Sequence, residues 1–465
     1  MAGLLSKERI VAGPGFNRWL VPPAALAIHL CIGQAYALSV FKIPLSQAIG
    51  ITHAAPDDWT FTQLASIFQI AIVFLGLSAA VGGKWLERVG PRRSGLVSAC
   101  CWGAGFLISS YAVQIHNLWL LRLGYGVIGG CGLGLGYITP VSTLIRWFPD
   151  RRGMATGMAI MGFGGGAMIA SPLSQILMDR FKSATSVGVV ETFVTLGIIY
   201  FVAMVAGAFL FRIPAPGWKP AGWTPPTQAS ALITRNHVHV SQAVRTPQFY
   251  LLWVVLFLNV TAGIGILEHA SPMIQEMFKG TVTASAAAGF TGLLSLFNMG
   301  GRFFWASISD KIGRKATYAV FFLLGPILYA SVPFAGKIGS VALFVACTAI
   351  ILTMYGGGFA TIPAYISDIF GTQYVGAIHG RLLTAWSAAG IMGPELVNQL
   401  RQYQIGRGVD PAQSYNFTMY LMAGLLLIAL FANLAISRVN ERFHMSAQEL
   451  DREHAALLHA TMARS

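Results

Sequence analysis

The stretch Gly83-Lys-Trp-Leu-Glu-Arg-Val-Gly-Pro-Arg-Arg93 returns in altered form as Ser309-Asp-Lys-Ile-Gly-Arg-Lys315. The acids of the two copies, Glu87 and Asp310, lie 223 residues apart, and the same offset carries Gly153 and Gly157 onto Gly376 and Gly380. Each copy is a short basic loop between two long apolar runs, after the second and the eighth such run. A repeat of six spans returns to the same side of a membrane. It is therefore a parallel repeat, for which a ligand site is expected near the midplane, where the two halves meet.

The composition fits that reading. Of 465 residues, 55% are hydrophobic and only 10% charged, and the mean hydropathy is +0.63. Ordinary globular chains carry about 25% charged residues. At roughly 20 apolar residues per span, the length holds about twelve helices. Twelve apolar runs can be read, from about 20–45 to about 415–437. Backbone groups in lipid must be bonded within the segment or in a closed barrel. The alternating pattern of a barrel is absent, so an all-α membrane protein of two six-helix bundles is expected. A cytosolic enzyme, a disulfide-knit secreted domain and a disordered chain are disfavoured. The run Leu20–Leu45 is too long for a signal peptide's apolar core and reads as the first span.

The formal charge of +14 is mostly an orientation signal. Of 31 Lys and Arg residues, 21 fall in segments on the N-terminal side of the spans and 6 on the other side. The remaining four, Lys42, Arg122, Arg302 and Arg381, lie within spans. This bias places both termini in the cytosol of a cell (inner) membrane protein and leaves little reason for nucleic-acid binding. The longest break, with its Pro- and Trp-rich PAPGWKPAGWTPP, reads as a cytoplasmic linker. The expected organisation is 1–211 for the first bundle, 212–246 for the linker, 247–437 for the second bundle and 438–465 for a charged cytoplasmic tail. Cys31, Cys100, Cys101, Cys131 and Cys347 all fall in apolar runs without metal-like spacing, so buried free thiols and no metal are expected. No Walker loop or nucleophile elbow is present. Neither a cofactor nor enzymatic activity is expected.

The doubled acid–basic–x–Gly loop resembles the signature loop of the major facilitator superfamily. Arg122-Leu-Gly-Tyr-Gly126 is similar to that superfamily's second motif, with Tyr125 where Gln is usual. The resemblance covers nearly the whole chain. An acid beside a helix end and nearby arginines can latch neighbouring helices. Glu87, Arg88, Arg92, Arg93, Arg122, Asp310, Lys311, Arg314 and Lys315 are therefore read as gating residues that do not touch a substrate.

A charge in mid-membrane costs roughly 2.5–3.5 kcal/mol even on the mildest scale and marks a functional site by default. Arg302 is the clearest case. It precedes Asp310 by eight residues, which puts it about 12 Å above the basic loop on a helix. The repeat places Ala79 at the equivalent position, so the fold does not require a charge there. With no carboxylate at similar depth in another span, an anionic ligand is the natural counter-ion, because a guanidinium pairs bidentately with carboxylate. Asn298 lies four residues earlier on the same helical face and can orient the guanidinium or the ligand.

The Asn-x-x-x-Arg pair resembles the oxalate–formate antiporter and monocarboxylate transporter branch. So do Arg146-Trp-Phe-Pro-Asp-Arg-Arg-Gly153, Tyr36-Ala-Leu-Ser-Val-Phe41 and Thr384-Ala-Trp-Ser-Ala-Ala-Gly390. That resemblance implies aromatic pocket walls, matched here by Tyr137 and Tyr355. Phe163 and Trp386, related by the 223-residue offset, suit two walls of a central cavity. Gln34 and Leu38 are candidates for its opposite side. Oxalate exchangers of this branch carry a second cation, a Lys, in the eleventh span, where Trp386 stands. A single arginine suits a monoanion of the lactate, pyruvate or formate kind. Proton coupling is open: many proton-linked relatives have Asp where Asn298 stands, and His29 is the remaining candidate. The expectation is a monomeric secondary carrier for small monocarboxylates, by proton symport or anion exchange. A dicarboxylate antiporter, a drug/proton antiporter and a non-transporting membrane sensor are the rivals.

Overall fold

A computed structural model describes residues 4–224, 232–234 and 236–451. The tail beyond residue 451 and part of the linker, both named above, lie outside the described residues. The long helices are α1 (Arg18–Leu45), α2 (Phe61–Val89), α3 (Pro91–Gln114), α4 (Leu118–Trp147), α5 (Arg152–Phe181) and α6 (Val189–Leu210). They continue as α7 (Pro247–Met277), α8 (Ala284–Ile312), α9 (Arg314–Lys337) and α10 (Val341–Phe370). The last two are α11 (Val375–Leu382 continued by Thr384–Gly406) and α12 (Asn416–Ala435). Among the described residues ten are long and apolar enough to cross a membrane. The two that fall short are α8 and α11, which carry Arg302 and Trp386. Of the cysteines, Cys31 and Cys347 are buried, while Cys100 is exposed on the outer face of α3; apolar surface satisfies it where a membrane covers the helix.

The repeated loop is compact because of one residue in each copy. Gly90 alone separates α2 from α3 and Gly313 alone separates α8 from α9, with φ of 83° and 86°. Both have extended ψ, a region essentially reserved for glycine. Elsewhere the caps are side chains. The Thr60 hydroxyl accepts from Gln63 N–H, and the Gln63 side chain accepts from Thr60 N–H, which satisfies two otherwise unbonded donors. Three helices are irregular: α1 is wound as a 3-10 helix over Gly33–Phe41, α4 as a π-helix over Arg122–Gly129, and α11 breaks at Leu383.

The first and last described segments gather at one end of the helices, with the repeated loops. Arg18 grips Asp150 through two bonds of 2.6 and 2.8 Å. Burial acts against Asp150, but Arg18 and the backbone prevail and hold its carboxyl below the usual range. Across the two sets of six helices, the acids of the repeat do the joining. Glu87 accepts from Gly376 N–H at 3.1 Å and from Arg146. Asp310 accepts from the N–H groups of Gly153 and Met154, each at 2.8 Å. Each acid ends a helix of one half and caps the first turn of a helix in the other, where unbonded N–H groups and the helix dipole favour a negative charge. Arg314 ties Asp310 to Asp368, and Arg152 reaches Asp368 from the first half at 3.1 Å.

Asp310→Asn removes the charge and keeps the shape, and a charge-assisted bond is worth about 1.5–3 kcal/mol. Thr156 is buried at this junction, its hydroxyl donating to Ala360 O at 2.7 Å. In a chain freed of its native cysteines, Thr156→Cys is expected to react slowly with an impermeant maleimide. Adding Asp310→Asn should speed that labelling about tenfold or more, and an unchanged rate would show that the acid does not hold this end closed.

Candidate functional site

Arg302 projects from α8 into the junction of the halves and is fully buried. Its Nε donates to Asn298 Oδ1 at 3.2 Å, and Nη1 donates to Ile160 O of α5 at 3.3 Å. The approach to α5 depends on a missing side chain: a Cβ at Gly164 would stand 2.9 Å from Arg302 Nε. The guanidinium carbon lies 5.8 Å from the Phe163 ring centre and 5.4 Å from that of Phe359, within cation–π range.

An aromatic cluster surrounds it. Tyr137 touches Phe163 and Trp386, with ring centres 5.4 and 5.3 Å apart. Trp386 packs on Phe163 at 5.4 Å and on Phe359 at 4.7 Å, and Phe359 packs on Tyr355 at 5.3 Å. Tyr36 closes the ring, edge-on to Phe163 at 5.1 Å. Tyr36, Tyr137 and Tyr355 all lie within reach of the Arg302 charge. Their three hydroxyls and Arg302 Nη2 are buried and make no hydrogen bond of good geometry among the described residues, although the Tyr36 hydroxyl approaches both Tyr355 and Arg302. Buried polar groups are normally paired, and each left unpaired costs about 1–3 kcal/mol. Three such hydroxyls around one guanidinium, together with its own Nη2, form a donor set suited to an anion.

A cavity of about 470 Å³ lies between this cluster and the end away from the termini, in the size range of small-molecule sites. Its wall includes Tyr36, Leu38, Lys42, Gln69, Gly164 and Asn298. Three of these, Tyr36, Gly164 and Asn298, also border Arg302, which therefore sits just beneath the cavity floor.

The structure thus brings Arg302, Asn298, Tyr137, Tyr355, Phe163 and Trp386 together, with Leu38 on the cavity wall. Gln34 stands apart, its amide oxygen accepting from Tyr125 Oη at 2.9 Å. The 3-10 winding that begins at Gly33 turns it away from the face that a regular helix would give it. His29 is wedged between backbones, Nδ1 2.6 Å from Ala159 O and Nε2 3.1 Å from Tyr137 O. Its ring stacks on Tyr137 at 5.4 Å and does not line the cavity. Among the gating candidates, Glu87, Asp310 and Arg314 form the cross-half latch. Arg92 and Lys315 instead bond backbone carbonyls within their own halves. Arg88, Arg93 and Lys311 are exposed. Arg122 lies at the opposite end, bonded to Ser66 Oγ at 2.9 Å and over the Trp119 ring. Sequence reasoning missed Tyr36, Phe359 and Lys42 at the site and Arg146, Arg152 and Asp368 in the latch. Tyr36, Arg146 and Arg152 were visible only as parts of motifs; Arg146 and Arg152 reach across the halves to Gln373 and Asp368, 227 and 216 positions away.

A family model described as Major Facilitator Superfamily matches residues 24–394. The chain is 29% identical over 379 residues to the oxalate:formate antiporter of Oxalobacter formigenes, covering 81% of this chain and 83% of that one. It is 24% identical over 454 residues to apicoplast pyruvate carrier 1 of Toxoplasma gondii, covering 81% and 82%. It is 25% identical over 451 residues to human monocarboxylate transporter 11, covering 92% and 85%. Among solved structures, the Escherichia coli fucose:proton symporter superposes with a TM-score of 0.65 at 16% identity, covering 90% of this chain and 99% of that one.

Asn298 is a neutral partner 3.2 Å from a buried cation. Asn298→Asp would supply an internal counter-ion, and the purified protein should melt at a higher temperature. At neutral pH the same variant should show a smaller rise in melting temperature with pyruvate or formate than the unaltered chain, because the added carboxylate competes for the guanidinium. Retention of that rise would show that the guanidinium is not where an anion binds.

Proposed function

The chain belongs to the major facilitator superfamily, and from that premise we propose that it carries small monocarboxylates of the lactate, pyruvate or formate kind by alternating access. The observation that carries the proposal is the buried Arg302 ringed by three buried tyrosine hydroxyls, none of which makes a hydrogen bond of good geometry among the described residues. A carboxylate would accept from the guanidinium and from Tyr36, Tyr137 or Tyr355, while Phe163, Phe359 and Trp386 close on its apolar part. Asn298 would hold the guanidinium in orientation.

In this reading residues 1–211 and 247–437 are the two moving bundles, and the charge bias puts both termini on the cytoplasmic side of the cell membrane. The cavity then faces outward, and the Glu87 and Asp310 latch closes the cytoplasmic end. The protein acts as a monomer. His29 is wedged against the Ala159 and Tyr137 carbonyls away from the cavity lining, and in this cycle it is read as a packing residue, with any proton travelling on the substrate. Relatives named for oxalate, pyruvate and monocarboxylates support the substrate class. One observation favours a second reading, oxalate/formate exchange: the similarity to the antiporter of that name extends over most of both chains. Against it, Trp386 gives α11 no cation for a second carboxylate.

Proteoliposomes loaded or bathed with labelled pyruvate, lactate, formate or oxalate test this directly. Saturable uptake is expected for at least one monocarboxylate. Truncating one partner of a buried charge pair costs about 2–5 kcal/mol, so Arg302→Ala should lower uptake about 30-fold or more. Arg302→Lys should recover little, because an ammonium lacks the planar fork. Wild-type uptake by Arg302→Ala would overturn the assignment. Stimulation by an inward proton gradient marks symport; indifference to it, with acceleration by internal substrate, marks exchange.

A further inference from the structure

The 223-residue offset maps Thr156 onto His379 and Ala360 onto Tyr137, with Pro140 and Pro363 in the same register. Two contacts between the halves are therefore twins. In one seam Thr156 of α5 faces Ala360 of α10, and its hydroxyl donates to the Ala360 carbonyl at 2.7 Å. In the other, His379 of α11 faces Tyr137 of α4, with ring centres 5.8 Å apart. Both side chains are fully buried, but only one is satisfied. Neither ring nitrogen of His379 has a hydrogen-bond partner among the described residues, and an aromatic ring is a weak acceptor. His29, packed on the same tyrosine, has a carbonyl beside each of its nitrogens. His379 lies three residues beyond Gly376, the backbone partner of Glu87, and seven before Trp386. It thus stands inside the plug between the latch and the rings of the floor. The plug is tight there: a Cβ at Gly380 would run into the Ala79 carbonyl of α2, and one at Gly376 would stand 3.0 Å from Ser142 Cβ of α4.

We infer that His379 is a built-in bias towards opening of the cytoplasmic end: its unpaired imidazole burdens the closed arrangement, and parting α11 from α4 brings water to both nitrogens. This rests on the alternating-access reading and on no particular substrate. A buried polar group without a partner carries a desolvation cost that hydration returns, so the two states differ in free energy by that amount and their populations shift with it. Thr156 acts in the opposite sense, because opening breaks its bond to Ala360. The imidazole is not needed for packing, since the fold accepts a small hydroxylated residue at the twin position. An end closed by two capping acids, their arginines and a dry plug would open rarely. One unsatisfied group at the centre of the plug eases opening without loosening any contact that aligns the halves.

Maleimide labelling of Thr156→Cys, in the chain freed of its native cysteines, reports opening at the other seam and tests the inference; the reporter removes the Thr156 bond from every chain alike. His379→Leu deletes both nitrogens at similar volume. His379→Thr copies the twin, and its hydroxyl should donate to Tyr137 O. Both variants are expected to slow the labelling about tenfold, alone and combined with Asp310→Asn, and to raise the melting temperature of the purified protein, which also shows that they fold. Unchanged or faster labelling of the folded variants overturns the bias. So does a lower melting temperature for both, which would mean that the imidazole already holds the halves together. If Asp310→Asn by itself does not speed the labelling, the reading of a latched cytoplasmic end fails and the bias falls with it. If Asp310→Asn speeds it and the His379 variants leave it unchanged, only the bias falls.

Discussion

Two carboxylates, each ending a helix in one half, cap the first backbone N–H groups of a helix in the other. Glu87 holds Gly376 at the start of α11, and Asp310 holds Gly153 and Met154 at the start of α5. Two of the large rings at the centre stand on the two helices so held. Phe163 follows Gly153 by ten residues and Trp386 follows Gly376 by ten, which is about 15 Å along a helix. Continuous α5 carries the geometry of the latch up to Phe163, α11 carries it across the break at Leu383 to Trp386, and the two rings meet at 5.4 Å. Parting the acids from these helix ends would part the rings. The repeat is thus mechanical as well as historical: the same offset relates the acids, their backbone partners and the residues that close the floor.

The symmetry stops at Arg302. The matching position in the first half is Ala79, fully buried, and the first half contributes acceptors and space instead of charge. Ile160 offers a carbonyl, Phe163 a ring face, and Gly164 the gap through which the guanidinium reaches α5. One half holds the charge and the other shapes the surface against it. A ligand at this point would touch both halves, as a molecule that biases the arrangement of two bundles must.

Much of this was legible in the sequence where it rests on local spacing. The repeated loops, the parallel halves and the common face of Asn298 and Arg302 all follow from counting residues. The glycine of each loop is needed because its φ is positive, so the motif and the hairpin are one fact. Legibility ended where the helix stopped being regular. A 3.6-residue period put Gln34 and Leu38 on one wall, but the 3-10 winding keeps Leu38 there, sends Gln34 to Tyr125, and lines up Tyr36 with Lys42. Likewise α8 and α11 fall short of the other long helices in apolar character, α8 because it carries Asn298 and Arg302, α11 because of the polar run from Glu395 to Gln404 at its outer end. The bonds of Arg146, Arg152 and Asp368 join residues whose nearness only the folded chain creates.

The bonds that hold Arg302 also bear on turnover. Its acceptors are a side-chain amide and a carbonyl at 3.2 and 3.3 Å, both neutral and longer than the 2.7–2.9 Å of charge-assisted bonds. A buried carboxylate in their place would satisfy the cation so well that a ligand would have to displace it. Neutral acceptors keep the charge in place while leaving much of its attraction unspent. A carrier must release what it binds, and in the proposed cycle a site with one cation, hydroxyl donors and no acid could do so: the guanidinium would return to Asn298 and Ile160 once the anion left. The scarcity of charge along the chain and the weakness of these two bonds then serve the same end, a cation that is stable when empty and still available to a ligand.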